Sequence, residues 1–317
     1  MIVARSLEDV VFQKQSVLTV GTFDGVHRGH EAIIREVTRR SKSLGGARSV
    51  VVTFDPHPKE IVGSGPVAFL ASLDERLSIF RALGVDLAFV VAFTYDFSRL
   101  TSREFFERFI VCGVGVSDVI VGHDHMFGRD REAGFRELRK MGEETGFTAS
   151  VVEPITVDGA IVSSSAIRAM LSAGEVTRAA KFLGREYGIG GRVVHGDGRG
   201  RELGVPTANI QPAFAKKLVP HGGVYIVRVI RQAAEHFGML NIGTRPTFGP
   251  DDRTTIEVHL FGFDGDLYGE TVEVRFLKRL RDERKFSSVD ELRRQLQTDR
   301  SESLAFVAAQ STVQASS

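Results

Sequence analysis

The stretch "VGTFDGVHRGH", Val20 to His30, follows an apolar run from Val17 to Val20 and leads into a helix-compatible stretch from His30 to Ser43. It contains three glycines, one aspartate and two histidines. Where a strand ends and a helix begins, exposed backbone N–H groups and the helix dipole attract phosphate. The stretch lacks the Gly-Lys-Ser of a P-loop, so side chains other than a P-loop lysine must neutralise the phosphate charge.

The two histidines of this stretch are spaced for a common task. His27 and His30 lie three residues apart across the predicted first helical turn, so both rings can face one phosphate. Gly21, Gly25 and Gly29 allow a sharp turn and a close approach of the backbone to a ligand. The alternative is a helix cap or a surface pair, the usual role of isolated histidines near a helix start. A zinc site is disfavoured because no cysteine or glutamate lies at a matching spacing.

Composition limits the class of protein. A length of 317 residues favours two domains over one. Lys and Arg total 41 against 40 Asp and Glu, so the sequence predicts no nucleic-acid partner. The single cysteine, Cys112, cannot form an internal disulfide, which fits a reducing cytosol. Residues 1–15 carry charges throughout, and no window approaches the roughly 20 apolar residues of a membrane span. We therefore expect a cytoplasmic protein without membrane contacts.

The first half of the chain alternates short apolar runs with helix-compatible stretches, a pattern typical of an α/β fold with a doubly wound parallel sheet. Ligands bind such sheets at the carboxyl ends of the strands. The predicted strands are Val17 to Val20, Val50 to Phe54, Leu87 to Ala92, Val119 to Val121 and Ala149 to Val152. The predicted helices are His30 to Ser43, Ser72 to Ala82, Ser102 to Ile110 and Phe135 to Gly146.

The second half of the chain changes in character. After two helices, Ser164 to Leu171 and Val176 to Leu183, Gly-rich alternating segments predict an antiparallel β-barrel. Its strands are Ile189 to His195, Gly223 to Arg231, Gly238 to Ile242, Thr255 to Phe261 and Thr271 to Phe276, with a terminal helix from Ser288 to Thr298. We predict one domain over residues 1–184, a second over 185–310 and a disordered tail over 311–317.

Four stretches of the first half resemble one family. "GTFDGVHRGH" resembles the nucleotidyltransferase signature in its version from prokaryotic bifunctional riboflavin kinase/FMN adenylyltransferases, also called FAD synthetases. "TFDPHP" (Thr53 to Pro58), "VGHDHMFGRDREAG" (Val121 to Gly134) and "VSSSAIR" (Val162 to Arg168) agree with the same family in order. The resemblance implies a Rossmann-like nucleotidyltransferase domain that transfers the adenylyl group of ATP to FMN.

The resemblance also assigns roles to residues of this domain. It implies catalytic roles for His27, His30 and Arg168. The residues expected to contact ATP are Gly21, Phe23, Asp24, Gly25, His27, His30, Ser164, Ser165 and Arg168. His57 and Asp124 are expected to contact the flavin, although Asp-Pro-His-Pro by itself is typical of a rigid turn after a strand. The sequence departs from the commoner family pattern at His125, Met126 and Ser165, and the first two departures leave the flavin contacts of their stretch open.

A second signature lies in "GRVVHGDGRGRELGVPTANI", Gly191 to Ile210. It resembles the riboflavin kinase signature, in which a Gly-rich loop and a Pro-Thr-Ala-Asn segment lie near ATP and its metal. The resemblance implies that Thr207 and Asn209 bind ATP and hold Mg²⁺, for which neutral oxygens plus phosphates are suitable ligands. The loop residues expected at the ATP phosphates are Gly196, Gly198 and Gly200.

The kinase reaction needs a base, because a hydroxyl is a poor nucleophile until its proton is removed. In "TTIEVHLFGFDGDLYG" the alternation of a strand separates Glu257 from the core-facing positions Ile256 and Val258. A carboxylate on that face is usually just solvated, but the resemblance makes Glu257 the general base. By the same analogy Arg281 and Phe286 lie beside the flavin, and a surface segment with salt bridges is the alternative.

The resemblance covers nearly the whole chain and implies a bifunctional enzyme that phosphorylates riboflavin to FMN and adenylylates FMN to FAD. ATP, riboflavin, FMN and FAD are the implied small-molecule partners, and association with further copies of the chain is left open. One alternative is a single-activity enzyme, either the kinase alone or an adenylyltransferase acting on another phosphorylated alcohol. Another is a binding module that senses flavin or contacts RNA without turnover.

Overall fold

A computed structural model describes residues 1–63, 65–123, 134–195, 205–245 and 253–314 of the chain. The chain forms two compact units, Met1–Ser164 and Ser165–Ser317. The first unit is built on a parallel sheet and the second on a closed antiparallel barrel, which confirms the predicted fold class.

The sheet of the first unit has six strands in the order β1-β4-β3-β2-β5-β6. From β2 the chain moves outward to β3 and β4, and then crosses to β5 on the other side of β2. The topological switch point therefore lies between β2 and β5, where ligands bind at the carboxyl ends of the strands. The strands are β1 (Ile2–Ala4), β2 (Ser16–Val20), β3 (Arg48–Asp55), β4 (Leu87–Ala92), β5 (Asp118–Gly122) and β6 (Thr148–Val152).

All five strands predicted for this sheet are present, and β1 is an addition that the sequence did not reveal. Every residue of β2 is buried, as expected for a central parallel strand covered on both faces. β1 has only three residues, too few for a periodic signal, and it is defined by its pairing with β4. An edge strand this short becomes recognisable only once its partner is in place.

Helices cover this sheet and position the segments at its carboxyl edge. Helix α1 buries Ile33, Ile34 and Val37, which recur at helical spacing along one face. The helices are α1 (Arg28–Ser43), α2 (Pro58–Val62), α3 (Leu73–Ala82), α4 (Tyr95–Ser98), α5 (Ser102–Phe105), which continues as a π-helical segment (Phe106–Val114), and α6 (Phe135–Thr145). A short hairpin follows, formed by β7 (Thr156–Val157) and β8 (Ala160–Ile161).

The barrel of the second unit closes in the order β10-β13-β12-β11-β14-β9, with β9 also paired to β10. Its core includes Tyr225 and Phe276, both completely buried and packed edge to face. The elements are α7 (Ser164–Ser172), α8 (Val176–Leu183), β9 (Tyr187–Val194), β10 (Ala208–Pro212), β11 (Gly223–Arg231), β12 (Ala234–Arg245), β13 (Arg253–Leu260), β14 (Thr271–Arg281) and α9 (Val289–Gln314).

Strand β10 was not predicted as a strand, because its sequence was assigned only to the loop motif that ends in Pro-Thr-Ala-Asn. It pairs with β9 on one side and with β13 on the other, and so closes the barrel. The sequence predicts helices α7 and α8 as part of the first domain. In the structure, Ser165 and the residues after it belong to the compact unit that contains the barrel. Thr177 on α8, for example, donates to the carbonyl of Leu277 at 3.1 Å.

The terminal helix is longer than predicted. The Ser288 hydroxyl caps it by accepting from the Glu291 N–H at 3.2 Å, as the sequence indicates. The helix then continues to Gln314, so the predicted end at Thr298 is wrong. Of the tail predicted over residues 311–317, residues 315–317 lie outside the described residues. No glycine or proline interrupts this stretch, and Lys278 lies over the ring of Phe306, which gives the second half of the helix a packing partner.

One ion pair fixes this helix to the barrel. Arg281 donates from Nε and Nη2 to the carboxylate of Asp299 at 3.1 and 2.8 Å, and Asp299 is 2% exposed. Gln295 donates to the same carboxylate at 2.7 Å. Removing one partner of a buried pair leaves the other charge uncompensated.

We therefore expect Asp299→Ala to lower the free energy of unfolding of the barrel by about 3 kcal/mol. The exposed Glu302 on the same helix gives a control, Glu302→Ala, with an expected change below about 0.5 kcal/mol. Urea unfolding followed by near-UV tyrosine signal measures both, because the chain has no tryptophan and Tyr187 and Tyr225 are buried in the barrel. Equal unfolding midpoints for the two variants would contradict the expectation.

Candidate active sites

The turn between β2 and α1 has an unusual backbone. Three of its residues have positive φ, namely Phe23 at 50°, Gly25 at 81° and Val26 at 38°. Only glycine adopts this conformation without strain, and each of the other two residues costs on the order of 1–3 kcal/mol. The Gly21 N–H donates to the Val52 carbonyl at 3.0 Å, and a Cβ at Gly21 would lie 3.1 Å from the Phe23 ring. Contacts from outside the turn must therefore hold it.

Asp24 supplies one set of these contacts. Its carboxylate accepts from the backbone N–H of Leu70 at 3.0 Å and from that of Ala71 at 3.0 Å, and Asp24 is 2% exposed. The Ser164 hydroxyl donates to the Asp24 carbonyl at 2.9 Å. Asp24 was expected to contact ATP, and these bonds give its side chain a structural role that the sequence did not suggest.

Arg76 on α3 supplies a second set of contacts that hold the turn between β2 and α1. Its Nη1 donates to the Thr22 carbonyl at 2.7 Å and to the Thr53 hydroxyl at 2.8 Å, and its Nη2 donates to the Phe54 carbonyl at 3.3 Å. Arg76 is only 4% exposed. Burial lowers the pKa of Arg76, while the carboxylates of Asp24, Asp55 and Glu60 oppose that shift.

The two histidines lie side by side at the start of α1. Their ring centroids are 3.6 Å apart and the rings are 17° from parallel. His27 is the N-cap residue, and its Nδ1 accepts from the His30 N–H at 3.3 Å. The Phe23 ring is edge-on to His30, with centroids 5.2 Å apart. The spacing therefore brings both rings to the end of the helix that attracts anions, as predicted.

The other residues expected at this site are distributed differently. His57 caps α2 by accepting from the Lys59 N–H at 3.1 Å, and its ring lies 4.9 Å from that of Phe69. Ser165 and Arg168 lie on α7, in the part of that helix that belongs to the second unit. Asp124, His125 and Met126 lie outside the described residues.

The barrel carries a row of polar residues across three strands. Glu257 on β13 is directly opposite Asn209 on β10 and Asn241 on β12. Directly opposed residues point to the same face of a sheet, and the neighbours Ile256 and Val258 are buried on the other face. The structure thus joins Asn209 and Glu257, which are far apart in sequence, and adds Asn241, for which no role was predicted.

The segment before β10 is tied to the same face. Thr207 donates its hydroxyl to Oε2 of Glu257 at 3.4 Å. The His259 Nδ1 lies 2.8 Å from the Pro206 carbonyl oxygen. A hydroxyl, an amide and a carboxylate therefore meet at one place, a set of oxygen ligands that suits Mg²⁺ together with phosphate oxygens.

The remaining expectations for the barrel have mixed outcomes. Arg281 forms the ion pair with Asp299 described above, so its guanidinium already holds α9 in place. Its guanidinium carbon lies 5.8 Å from the centroid of the Phe286 ring, and that of Arg284 lies 4.6 Å from it. Arg281 and Phe286 are therefore neighbours, as the resemblance implies, and their contact with a flavin stays a prediction. Gly196, Gly198 and Gly200 lie outside the described residues.

The described ranges lack two kinds of feature. In that part of the chain, no group of three or more His, Cys, Asp or Glu side chains is arranged to hold a metal ion. No helix among those ranges combines the length and apolar character needed to cross a membrane.

Arg76 and Asn241 lie at the two candidate sites, although no sequence motif indicated either residue. Arg76 shares a face of α3 with Leu73, Leu77 and Phe80, and an arginine within an apolar stripe is a usable signal of a buried charge. Asn241 gave no such signal, because its position opposite Glu257 depends on strand register.

Comparisons with known proteins identify a family for each part of the chain. A family model described as FAD synthetase matches residues 10–166, and one described as riboflavin kinase matches residues 183–307. A bifunctional riboflavin kinase/FMN adenylyltransferase of Pseudomonas fluorescens is 38% identical over 89% of this chain and 90% of its own length. The protein of that name from Escherichia coli K12 is 37% identical over 90% of this chain and 91% of its own length.

A solved structure is also similar along the whole chain. It is described as a macrolide-efflux protein from Streptococcus pneumoniae, and it superposes with a TM-score of 0.85 at 32% identity. The match covers 95% of this chain and 97% of that one. Its description names a different activity from that of the relatives above, and only the fold is inferred from this likeness.

The contacts of Asp24 lead to a stability prediction. Asp24→Ala leaves the buried N–H groups of Leu70 and Ala71 without their carboxylate, which we expect to cost about 3 kcal/mol. Hydrogen exchange of a peptide covering residues 68–75 should accelerate in this variant. The control is Asp74→Asn, which changes an exposed carboxylate at the start of α3. Exchange as slow in Asp24→Ala as in the control would contradict the assigned role.

Proposed function

The chain belongs to the family of bifunctional riboflavin kinase/FMN adenylyltransferases, and we propose that its two reactions are divided between two successive domains. The enzyme phosphorylates riboflavin to FMN with ATP and then adenylylates FMN to FAD with release of pyrophosphate. The observation that carries the division is that the two family models match successive, separate parts of the chain. We assign FAD formation to a domain over residues 1–184, which includes helices α7 and α8, and the kinase reaction to a domain over residues 185–310, which includes the barrel.

Adenylyl transfer to FMN does not need a strong general base. A phosphate oxygen of FMN attacks the α-phosphorus of ATP, the new P–O bond forms, and the bond to pyrophosphate breaks. The attacking oxygen is already anionic, so the barrier comes from charge that accumulates on the phosphates, and positioning and neutralisation supply the catalysis. His27 and His30 at the start of α1 suit this task because their rings meet at the positive end of a helix dipole.

We propose further ligands around this centre from the family resemblance. Arg168 would neutralise phosphate charge through its planar fork of N–H donors. Ser164 and Ser165 would donate to phosphate, and Gly21, Phe23, Asp24 and Gly25 would form the ATP-binding turn. For Asp24 this contribution is its backbone, since its carboxylate holds Leu70 and Ala71. His57 and Asp124 would contact the flavin.

The kinase reaction differs because its nucleophile must first lose a proton. Glu257 would take the proton of the riboflavin 5′-hydroxyl as the oxygen attacks the γ-phosphorus and ADP leaves. The Thr207 hydroxyl, which donates to Glu257, keeps the carboxylate oriented. We propose that Arg281 and Phe286 border the flavin and that Gly196, Gly198 and Gly200 cover the ATP phosphates.

The residues around Glu257 also fit a magnesium ion. Thr207 and Asn209 would hold it, since both offer neutral oxygens on the face that carries Glu257. Bound Mg²⁺ would neutralise charge on the ATP phosphates. We further propose that the enzyme acts in the cytoplasm, which the single cysteine supports.

A direct assay tests the proposal. Purified protein receives ATP and Mg²⁺ with riboflavin in one reaction and with FMN in another, and the flavin products are separated by chromatography. We expect FMN followed by FAD in the first reaction and FAD in the second. If riboflavin is converted only to FMN and supplied FMN is not converted, the chain lacks the adenylyltransferase activity and that part of the proposal is wrong.

Glu257→Gln should separate the two activities. The amide keeps the size of the side chain but cannot take a proton, so we expect riboflavin phosphorylation to fall by roughly 10² to 10⁴. FAD formation from supplied FMN should persist. Glu235→Gln changes an exposed carboxylate on the neighbouring strand and serves as the control. Full kinase activity in Glu257→Gln would show that another group is the base.

His27→Asn should have the opposite effect. Asparagine is a good N-cap residue, so α1 keeps its cap while the imidazole is lost. We expect FAD formation to fall by roughly 10² or more, as when one charge-stabilising donor is removed, and the kinase activity to persist. Arg35→Ala, at an exposed position on the same helix, is the control. A variant with unchanged FAD formation would exclude His27 from the reaction.

A further inference from the structure

Helix α3 is bound to the turn between β2 and α1 by two opposite charges. The Asp24 carboxylate of the turn accepts from Leu70 and Ala71, just before α3. In the other direction, the Arg76 guanidinium of α3 donates to the Thr22 carbonyl of the turn. Asp24 and Arg76 are 2% and 4% exposed, so water competes little for either set of bonds.

Arg76 also joins this turn to the neighbouring strand. Its guanidinium donates to the Thr53 hydroxyl and the Phe54 carbonyl at the carboxyl end of β3. These residues begin the stretch "TFDPHP", whereas Thr22 belongs to "GTFDGVHRGH". Arg76 thus bridges two sequence motifs of the first unit, which are also joined directly by the Thr53 hydroxyl, a donor to the Thr22 carbonyl at 3.3 Å.

We propose that Arg76 is a positioning residue for adenylyl transfer, which holds the turn so that His27 and His30 face the reacting phosphates. This inference rests on the proposed assignment of FAD formation to the domain over residues 1–184. Arg76 contacts neither histidine in the bonds described, and it acts through the backbone of Thr22 and the residues that follow.

The path from Arg76 to the histidines is short. Phe23, next to Thr22, has positive φ and packs edge-on against His30 with centroids 5.2 Å apart. The Phe23 ring also packs edge-on against Phe80 of α3, with centroids 5.7 Å apart. Helix α3 therefore holds the turn twice, through the Arg76 guanidinium and the Phe80 ring. If Thr22 moves, the adjacent Phe23 moves with it, and the Phe23 ring then no longer packs in the same place against His30.

The chemistry of the guanidinium explains why arginine suits this position. Three acceptors lie around it, namely the Thr22 carbonyl, the Thr53 hydroxyl and the Phe54 carbonyl. A planar fork of N–H donors reaches all three at once, whereas the ammonium of a lysine is a single point of donation. Lysine would keep the charge but lose part of the geometry, and methionine would lose both.

Kinetics of three variants test the inference. Arg76→Lys and Arg76→Met are compared with Arg81→Met, which changes an exposed arginine on the same helix. kcat and the KM for ATP are measured for FAD formation from FMN. Misplaced reacting groups lose on the order of 10²-fold in rate. We expect kcat/KM for ATP to fall about 100-fold in Arg76→Met and about 10-fold in Arg76→Lys. Arg81→Met should match the wild type.

The chain contains its own reference reaction. Riboflavin phosphorylation by the same preparations should be unchanged in all three variants, because the barrel is a separate unit. Hydrogen exchange of a peptide covering residues 21–30 should accelerate in both Arg76 variants and not in Arg81→Met. If Arg76→Met does not fold, Arg76→Lys decides the question through the same two measurements.

A merely structural role gives a different result. In that case the Arg76 variants unfold more easily, but the folded protein at low temperature keeps the wild-type kcat and KM for ATP. That outcome would overturn the inference. Failure of the proposed function is recognised separately, because His27→Asn would then also leave FAD formation unchanged. Loss of FAD formation in His27→Asn with normal kinetics in both Arg76 variants rejects only the positioning role.

Discussion

The N-terminal site depends on one turn whose backbone is strained and whose polar supports are buried. Phe23 and Val26 have positive φ, and Val26 is β-branched, so the turn between β2 and α1 is costly in isolation. Asp24 binds backbone N–H groups of the segment before α3, and Arg76 binds the Thr22 carbonyl from α3 itself. The same turn ends at His27, which caps α1 and stacks on His30. Contacts elsewhere in the unit thus maintain a strained conformation at the proposed phosphate site.

In the barrel, strand register determines which polar side chains lie next to one another. The proposed kinase mechanism uses a carboxylate base beside oxygen ligands, and these groups come from segments far apart in sequence. Strand β10 closes the barrel by pairing with β9 and β13, and this closure sets Asn209 opposite Glu257. The hydrogen bond from Thr207 to Glu257 follows from the same pairing. The proposed kinase site therefore forms only when β10 is paired with β9 and β13.

Several residues that the resemblance assigns to ligands also have structural bonds. Arg281 holds α9 through a buried ion pair with Asp299, and the Asp24 carboxylate holds the segment that leads into α3. Such residues support the structure around a proposed site as well as being proposed to line it. Substituting them changes stability and activity together, whereas Glu257 lies at a half-exposed position where the two effects separate.

The sequence by itself determined the two fold classes, five of the six sheet strands, the two signatures and the spacing of His27 and His30. These features depend on local periodicity and on residue types within one turn or strand, which short-range sterics and burial fix. Tertiary structure alone decided β1, β10, the length of α9, the partners of Arg76 and the position of Asn241 opposite Glu257. These features depend on pairings between distant segments, because a buried charge or an edge strand is stable only when its partner from elsewhere in the chain is present.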